Sequence, residues 1–258
     1  MSAEASRRLA AARAQRRPCA PVRGLLPDIG AAYAVQSTWV AGRGAAGAKV
    51  VGRKIGLTNP AVRAQLGVDQ PDFGVLLDDM GYPSGARVDV RRTLQPKIEA
   101  EIAFVLADDL AGPRTGPLEV AAATAYVVAA LEIVDSRIAG WDISILDTVA
   151  DNASAGLFVL GDQPRLLRDL DLRECTMTLW RGDDLVSTGA GADCFGDPAE
   201  AVAWLATTAR ELGSPLRAGE VVLSGALGPV VPVRPGDRFH AVISEIGEVS
   251  VSFTGGGS

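Results

Sequence analysis

No stretch of this chain approaches the run of about 18 apolar residues that a helix needs to cross a bilayer, which excludes a helical membrane span. A basic excess is missing too. With 25 Lys and Arg against 31 Asp and Glu the net charge is −6, which argues against nucleic acid or an anionic membrane as the main partner, since both reward basic patches. A small anionic substrate remains compatible with that balance if a cation neutralises it locally. Cysteine is scarce: Cys19, Cys175 and Cys194 are odd in number and far apart. They fit neither a disulfide framework nor a zinc-ligand cluster and read as reduced thiols of a cytoplasmic protein. The first twenty residues lack the apolar core of a secretory signal and, being rich in Ala and Arg, read as an amphipathic helix. There is no internal repeat, and the only low-complexity piece is the terminal "GGGS".

What is present is the composition of a soluble globular protein, 48% hydrophobic and 22% charged over 258 residues, enough chain to bury a real core. A first helix is predicted near residues 2–16, and a second, capped by Asp28, is predicted to end before Gly42. Together they form an N-terminal helical arm over 1–45, followed by a body over 46–254 and a flexible tail at 255–258. In "KVVGRKIGLTNPAVRAQLGV" a short strand to about Ile55 turns at Gly56. Asn59 as N-cap, Pro60 at the first helical position and Gly67 as the stop then predict a brief helix. From residue 85 onward strands dominate, near 98–107, 125–135, 157–161, 174–181, 184–189, 219–224, 237–244 and 247–254. Two helices are predicted among them, near 117–123 and 198–212, the latter with Asp197 as cap, Pro198 in its first turn and Gly213 after its end. "RGDD" at 181–184 and "EIG" at 245–247 read as hairpin turns. So many strands with so few helices are unlike a doubly wound nucleotide fold. They predict an α+β protein around a rolled or barrel-like mixed sheet.

The segment "QPKIEAEIAF", residues 95–104, sets Glu99 and Glu101 inside an otherwise apolar strand pattern. Alternation puts Lys97, Glu99, Glu101, Ala103 and Val105 on one face and Ile98, Ala100, Ile102, Phe104 and Leu106 on the other. A strand whose polar face meets water would look the same. In "AYVVAALEIVDSRIAGW", however, Glu132 follows seven residues whose only polar side-chain group is the Tyr126 hydroxyl. A carboxylate buried there without a partner either protonates or is strongly destabilising. It needs a cation: Arg137 or Lys97 in a salt bridge, or a hard divalent metal such as Mg²⁺ or Mn²⁺ that takes carboxylate oxygens. Both alternatives stand on these residues alone. Read locally, Lys54 is a solvated strand end and Asp72 a turn former after Pro71.

Four blocks in order carry a family resemblance: "GRKIGLTNPAVRAQLGVDQPDFGVLLDDM" (52–80), "QPKIEAEIAFVL" (95–106), "LEIVDSRIAGWDISILDTVADNASAGLFVLG" (131–161) and "GEVVLSGALGPVVPV" (219–233). They closely resemble the 2-hydroxypenta-2,4-dienoate (2-oxopent-4-enoate) hydratases, in the hydratase/decarboxylase branch of the fumarylacetoacetate hydrolase superfamily. The resemblance extends from about Asp28 to Phe253. It implies a catabolic enzyme of aromatic meta-cleavage, a divalent cofactor (Mg²⁺ or Mn²⁺), a homo-oligomer and association with enzymes of the same pathway. Carried over position by position, the metal ligands fall on Glu99, Glu101 and Glu132, and the proton-handling pair on Lys54 and Asp72. The loop "SGALG", with Ser224 and Gly225, resembles a substrate-side loop, and "DNAS", with Ser154, borders the same pocket.

The implied chemistry is hydration of a small 2-hydroxy-2,4-dienoate or its 2-oxo tautomer, with the metal as Lewis acid at the C1 carboxylate and C2 oxygen. Ketonisation protonates C5, water adds at C4 and a proton arrives at C3, giving 4-hydroxy-2-oxopentanoate. Decarboxylation of 2-oxo-3-hexenedioate is the sister activity and would need a pocket for a second carboxylate. A biosynthetic enzyme acting on a larger oxo-enoate is a further alternative. A non-catalytic assembly subunit would predict a damaged acid trio, and all three acids are present. Superfamily members that cleave carbon–carbon bonds resemble one another in using a histidine near the entrance. The only histidine here, His240, falls in the late strand "DRFHAVI", where a partly exposed structural role is expected.

Overall fold

The computed structural model describes every residue except Met1, 60–62, 64–67, 69 and 256–258. Most of the brief helix predicted after Asn59, and the last three residues of the tail, lie outside the described residues.

Helix α1 (Ser2–Gln15) is an Ala-rich segment whose Glu4 accepts from Arg7 at 2.7 Å and Arg8 at 2.9 Å, the i,i+3 and i,i+4 spacings that place side chains side by side on a helix. Helix α2 (Ile29–Ala45) begins where predicted, with Asp28 accepting from the Ala31 N–H at 2.8 Å. It does not stop before Gly42. Its last turn is fastened from outside by the pairing of Arg43 with Asp79 and within the helix by Arg43 lying over Trp39, which together oppose the roughly 1 kcal/mol that a helical glycine costs.

The strands are β1 (Val50–Gly56), β2 (Asp72–Leu77), β3 (Gly81–Pro83), β4 (Ala86–Asp89) and the long β5 (Pro96–Leu106). Helix α3 (Pro117–Ala123) leads into β6 (Thr124–Asp135), and α4 (Ile145–Ala150) precedes β7 (Ala155–Leu160). The chain continues through β8 (Thr176–Arg181), β9 (Asp184–Ala190), α5 (Pro198–Glu211), β10 (Val221–Leu223), β11 (Val231–Pro232), β12 (Arg238–Ile243) and β13 (Gly247–Thr254). All eight predicted strands from residue 98 onward are present. The sequence reading lacked β2, β3, β4, β11 and α4. Strand β2, "DFGVLL", is buried at every position and so shows no alternation, and the others are too short to display a period.

Two sheets form, one in the order β2-β1-β10-β5-β6-β7-β3 with β11 beside β5, the other β4-β13-β12-β8-β9. Strands β12 and β13 lie against β6. The apolar face of β5 (Ile98, Ile102, Phe104) shares one hydrophobic cluster with Leu179, Phe239, Val251 and Phe253 of the second sheet. Each such side chain contributes about 1.5–3 kcal/mol on burial. A smaller cluster joins Leu9 of α1, Val35 of α2, Ile138 and Val149 of α4, which fixes the two N-terminal helices against the segment that follows β6. With the oil of β5 turned to the second sheet, its charged face turns inward on the first.

Candidate active site

The antiparallel register of β5 and β6 sets Glu99 directly opposite Glu132 and Glu101 opposite Ala130. Because Glu101 shares a face with Glu99, all three carboxylates offer an oxygen within 4.8 Å of one another. Glu101 and Glu132 are fully buried, and Glu99 keeps partial exposure. Lys54 of β1 supplies a counter-charge, with Nζ 3.1 Å from Glu132 Oε1.

This corrects two expectations. Neither Arg137 nor Lys97 serves Glu132. The chain turns after β6, so that Arg137 Nε donates to Asp151 Oδ1 at 2.6 Å, while Lys97 Nζ stands 4.1 Å from the centroid of the Trp141 ring. Lys54 is no solvated strand end either, because β1 is flanked by β2 and β10 and places Lys54 between Gly74 and Leu223. Burial pushes the Lys54 ammonium down, but Glu132, Asp72, Glu99 and Glu101 together outweigh it and hold the group protonated, above its usual range.

Asp72 is likewise no turn residue. It opens β2, buried, and its Oδ2 accepts from Thr148 Oγ1 at 3.0 Å. Burial raises its pKa, opposed by Lys54 and by the Thr148 hydrogen bond. Gly56, the cross-strand partner of Asp72, explains how the acid and the lysine meet. A methyl group there would stand 2.2 Å from Asp72 Oδ1 and 3.6 Å from Lys54 Nζ. Gln36 of α2 braces this strand by donating to Phe73 O at 2.9 Å and to Val149 O at 3.1 Å, and Tyr33 stacks on Phe73 with centroids 4.8 Å apart.

The trio is under-satisfied. Among the described residues, Glu101 Oε1 and both Glu132 oxygens are buried without a hydrogen-bond donor, the Lys54 approach being a charge contact outside hydrogen-bond geometry. Burial raises the pKa of all three, Glu101 well above the usual carboxylate range and Glu132 to about 7. Four carboxylates, counting Asp72, thus gather about Lys54. Orphaned oxygens, converging acids and an all-oxygen donor set fit a hard divalent cation.

The loop at Ser224 and Gly225 closes over Glu101. Ser224 N donates to Ile102 O at 3.1 Å, and Gly225 N donates to Glu101 Oε2 at 2.8 Å. Glycine is required at 225 on two counts: φ is +110°, and a Cβ would lie 2.4 Å from the Thr58 methyl. Ser224 itself is buried. After α4, Asn152, Ala153 and Ser154 adopt positive φ in succession (59°, 50° and 53°), a run that costs about 1–2 kcal/mol per residue. The Asn152 side chain holds it in place, accepting from Val75 N at 2.8 Å and donating to Val75 O at 2.9 Å as a neighbouring strand would. Ser154 Oγ ends up buried, without a partner among the described residues. The sequence reading missed Gly56, Thr148 and Asn152, and only the tolerance of Asn for left-handed backbone hinted at the last. His240 lies on β12 in the second sheet, with Nε2 2.9 Å from Glu248 Oε2.

Residues 37–254 match the model of the fumarylacetoacetate (FAA) hydrolase C-terminal family. A 2-keto-4-pentenoate hydratase of Burkholderia vietnamiensis is 52% identical over 96% of this chain and 95% of the relative. A 2-hydroxyhexa-2,4-dienoate hydratase of Comamonas testosteroni is 49% identical over 82% of this chain and 81% of its own. Among solved structures, the 4-oxalocrotonate decarboxylase of Pseudomonas putida G7, complexed with magnesium and adipate, superposes with a TM-score of 0.93 at 34% identity, covering 98% of this chain and 97% of that one. The rolled sheet and the matched span lead to one conclusion: this chain belongs to the fumarylacetoacetate hydrolase family.

Proposed function

We propose that Glu99, Glu101 and Glu132 hold one divalent cation, Mg²⁺ or Mn²⁺, and that the protein hydrates 2-hydroxypenta-2,4-dienoate (2-oxopent-4-enoate) to 4-hydroxy-2-oxopentanoate, a hydro-lyase step of aromatic meta-cleavage catabolism. The observation that carries this reading is the buried acid trio, with its orphaned oxygens, beside Lys54 and Asp72. The cation supplies a Lewis acid for the C1 carboxylate and C2 oxygen of the substrate.

The chain's own groups do the rest. Lys54, kept protonated by its acidic neighbours, brings positive charge and a proton to an anionic substrate. Asp72, its pKa raised by burial and its carboxyl oriented by Thr148, is suited to give and take a proton. Together they serve the transfers to C5 and C3 that bracket the addition of water at C4. Ser154, with its unpartnered hydroxyl, and the Ser224–Gly225 edge provide the substrate-side contacts. Hydration is favoured over decarboxylation of 2-oxo-3-hexenedioate because the hydratases share 49–52% of their residues with this chain and the decarboxylase 34%. The reading includes a homo-oligomer working in the cytoplasm beside other enzymes of its pathway. The unpaired state of Cys19, Cys175 and Cys194 supports the reducing compartment.

The experiment is turnover of freshly generated 2-hydroxypenta-2,4-dienoate with and without Mg²⁺ or Mn²⁺, run beside 2-oxo-3-hexenedioate. Metal-dependent consumption of the dienoate with formation of the hydroxy-oxo acid is expected. Faster release of CO₂ from the hexenedioate would replace hydration with decarboxylation.

A further inference from the structure

Five arginines meet at a place the hydration chemistry does not use. Arg13, Arg16, Arg43, Arg92 and Arg137, with Trp39, line a cavity of about 180 Å³ where α1 ends. The cavity reaches Leu157 of β7, the partner of Ile133, whose side chain points to the opposite face of β6 from that of Glu132. It is therefore separate from the carboxylate trio.

The acids at this cavity are already engaged. Asp151 Oδ1 accepts from both Arg13 (3.1 Å) and Arg137 (2.6 Å). Asp79 takes Arg43, and Asp135 accepts from the backbone N–H groups of Leu94 and Gln95 at 2.9 and 2.7 Å, with Arg137 3.9 Å away. Arg13, Arg43 and Arg137 thus pair with these three carboxylates, whereas Arg92 donates to Asp79 O at 2.9 Å and to the Tyr82 hydroxyl, inside a chain whose net charge is −6. Two of the guanidinium groups are held against one indole, Arg13 at 4.3 Å and Arg43 at 5.6 Å from the Trp39 centroid. Arg16 and Arg92 are exposed at the rim. Burial, ahead of the nearby Arg137, presses the Arg13 guanidinium down to about 9, opposed by Asp151 and Asp135. Each guanidinium is a planar fork of donors that matches two oxygens of a phosphate or carboxylate at once.

We propose that this cavity is a second anion-binding site, distinct from the carboxylate trio, which takes a compact oxyanion of the phosphate or dicarboxylate kind. The site stands independently of the hydration reading. Its test is isothermal titration of the magnesium-loaded full chain with inorganic phosphate and, separately, with malonate, at an ionic strength held constant with sodium chloride. Saturable binding of either anion at one per chain is expected, and the tighter of the two assigns the ligand kind. The double substitution Arg16→Gln/Arg92→Gln should weaken it at least about tenfold, the scale of a lost charge-assisted hydrogen bond, while metal-dependent turnover of the dienoate stays at the wild-type level. Arg16→Lys/Arg92→Lys, which keeps the charge but loses the fork, should fall between the two. Binding that never saturates, survives the double substitution, or is displaced by the dienoate substrate would overturn the proposal, the last because it would place the anion at the carboxylate trio.

Discussion

Glu99 and Glu132 are direct cross-strand partners in the antiparallel β5–β6 ladder, a position where two like charges repel and a sheet is weakened unless something positive lies between them. In the metal-free chain the repulsion is relieved by protons, because burial raises the three carboxyls, Glu132 to about 7, above the ordinary 4.5. Between those two values the folded chain binds more protons than the unfolded one, so metal-free stability is greatest at the acid end and declines as pH rises through about 7. A cation needs the same groups ionised. Its stabilisation therefore grows over the window in which the metal-free protein weakens. Calorimetric unfolding with EDTA and with excess Mg²⁺ should show a gap in midpoint that widens from acid to neutral pH. A gap that is constant or narrows would rule out these carboxylates as the metal ligands.

Glu101→Gln separates the role of charge from that of shape. Gly225 N donates to Glu101 Oε2 at 2.8 Å, and a glutamine carbonyl can still accept that bond, so the loop and the fold should persist. Metal affinity should not. Turnover at limiting Mg²⁺ is expected to drop by more than about tenfold, with partial recovery at saturating metal, since weaker perturbations around metal ligands already cost 10–100-fold. Wild-type turnover at limiting Mg²⁺ would remove Glu101 from the ligand set.

Much of this arrangement is legible in the chain because the informative pattern is short-range. The two-residue alternation in "KIEAEIAF" separates an apolar face from a charged one, and an acid embedded in "VVAALEIV" has to find a cation. Which cation it finds is not local. Lys54 reaches Glu132 through the β1–β10–β5–β6 order of the sheet, a matter of topology, whereas Arg137 and Lys97 are closer in sequence and turn elsewhere. Strand β2 escaped because burial on both faces erases the alternation, and Asp72 with it. The left-handed run at Asn152–Ser154 is stabilised by a side chain bonded to Val75, a partner 77 residues away.

Gly56→Ala tests the approach of Asp72 to Lys54 without touching either. The added methyl would stand 2.2 Å from Asp72 Oδ1, so the carboxyl must move. A displacement of about 1 Å at a reacting group can cost on the order of 10²-fold in rate, and a loss of that size is expected with metal binding unchanged. If the variant is folded and fully active, Asp72 has no positional demand and its place in the proton chemistry falls.

Lys54 and Asp72 themselves give the most direct test of how protons move. If they serve the two ends of a dienolate, Lys54→Met and Asp72→Asn should each lower turnover by about 10²–10⁴-fold, the usual share of positioned acids and bases. Exchange of the substrate's C3 and C5 hydrogens with deuterated water adds a readout that does not require water to add at C4, and it should be lost with turnover. Thr148→Val, which removes the 3.0 Å hydrogen bond to Asp72, should slow exchange less than Asp72→Asn does, and Thr148→Ser should restore it. The lysine carries a second duty, since its ammonium lies 3.1 Å from Glu132 and offsets the carboxylates before any metal arrives. Lys54→Met is therefore expected to tighten divalent binding slightly while abolishing exchange, because a competing positive charge is gone. Exchange and turnover at the wild-type rate in both Lys54→Met and Asp72→Asn would make these residues structural and move the proton chemistry to Ser154 or Ser224, which are also buried.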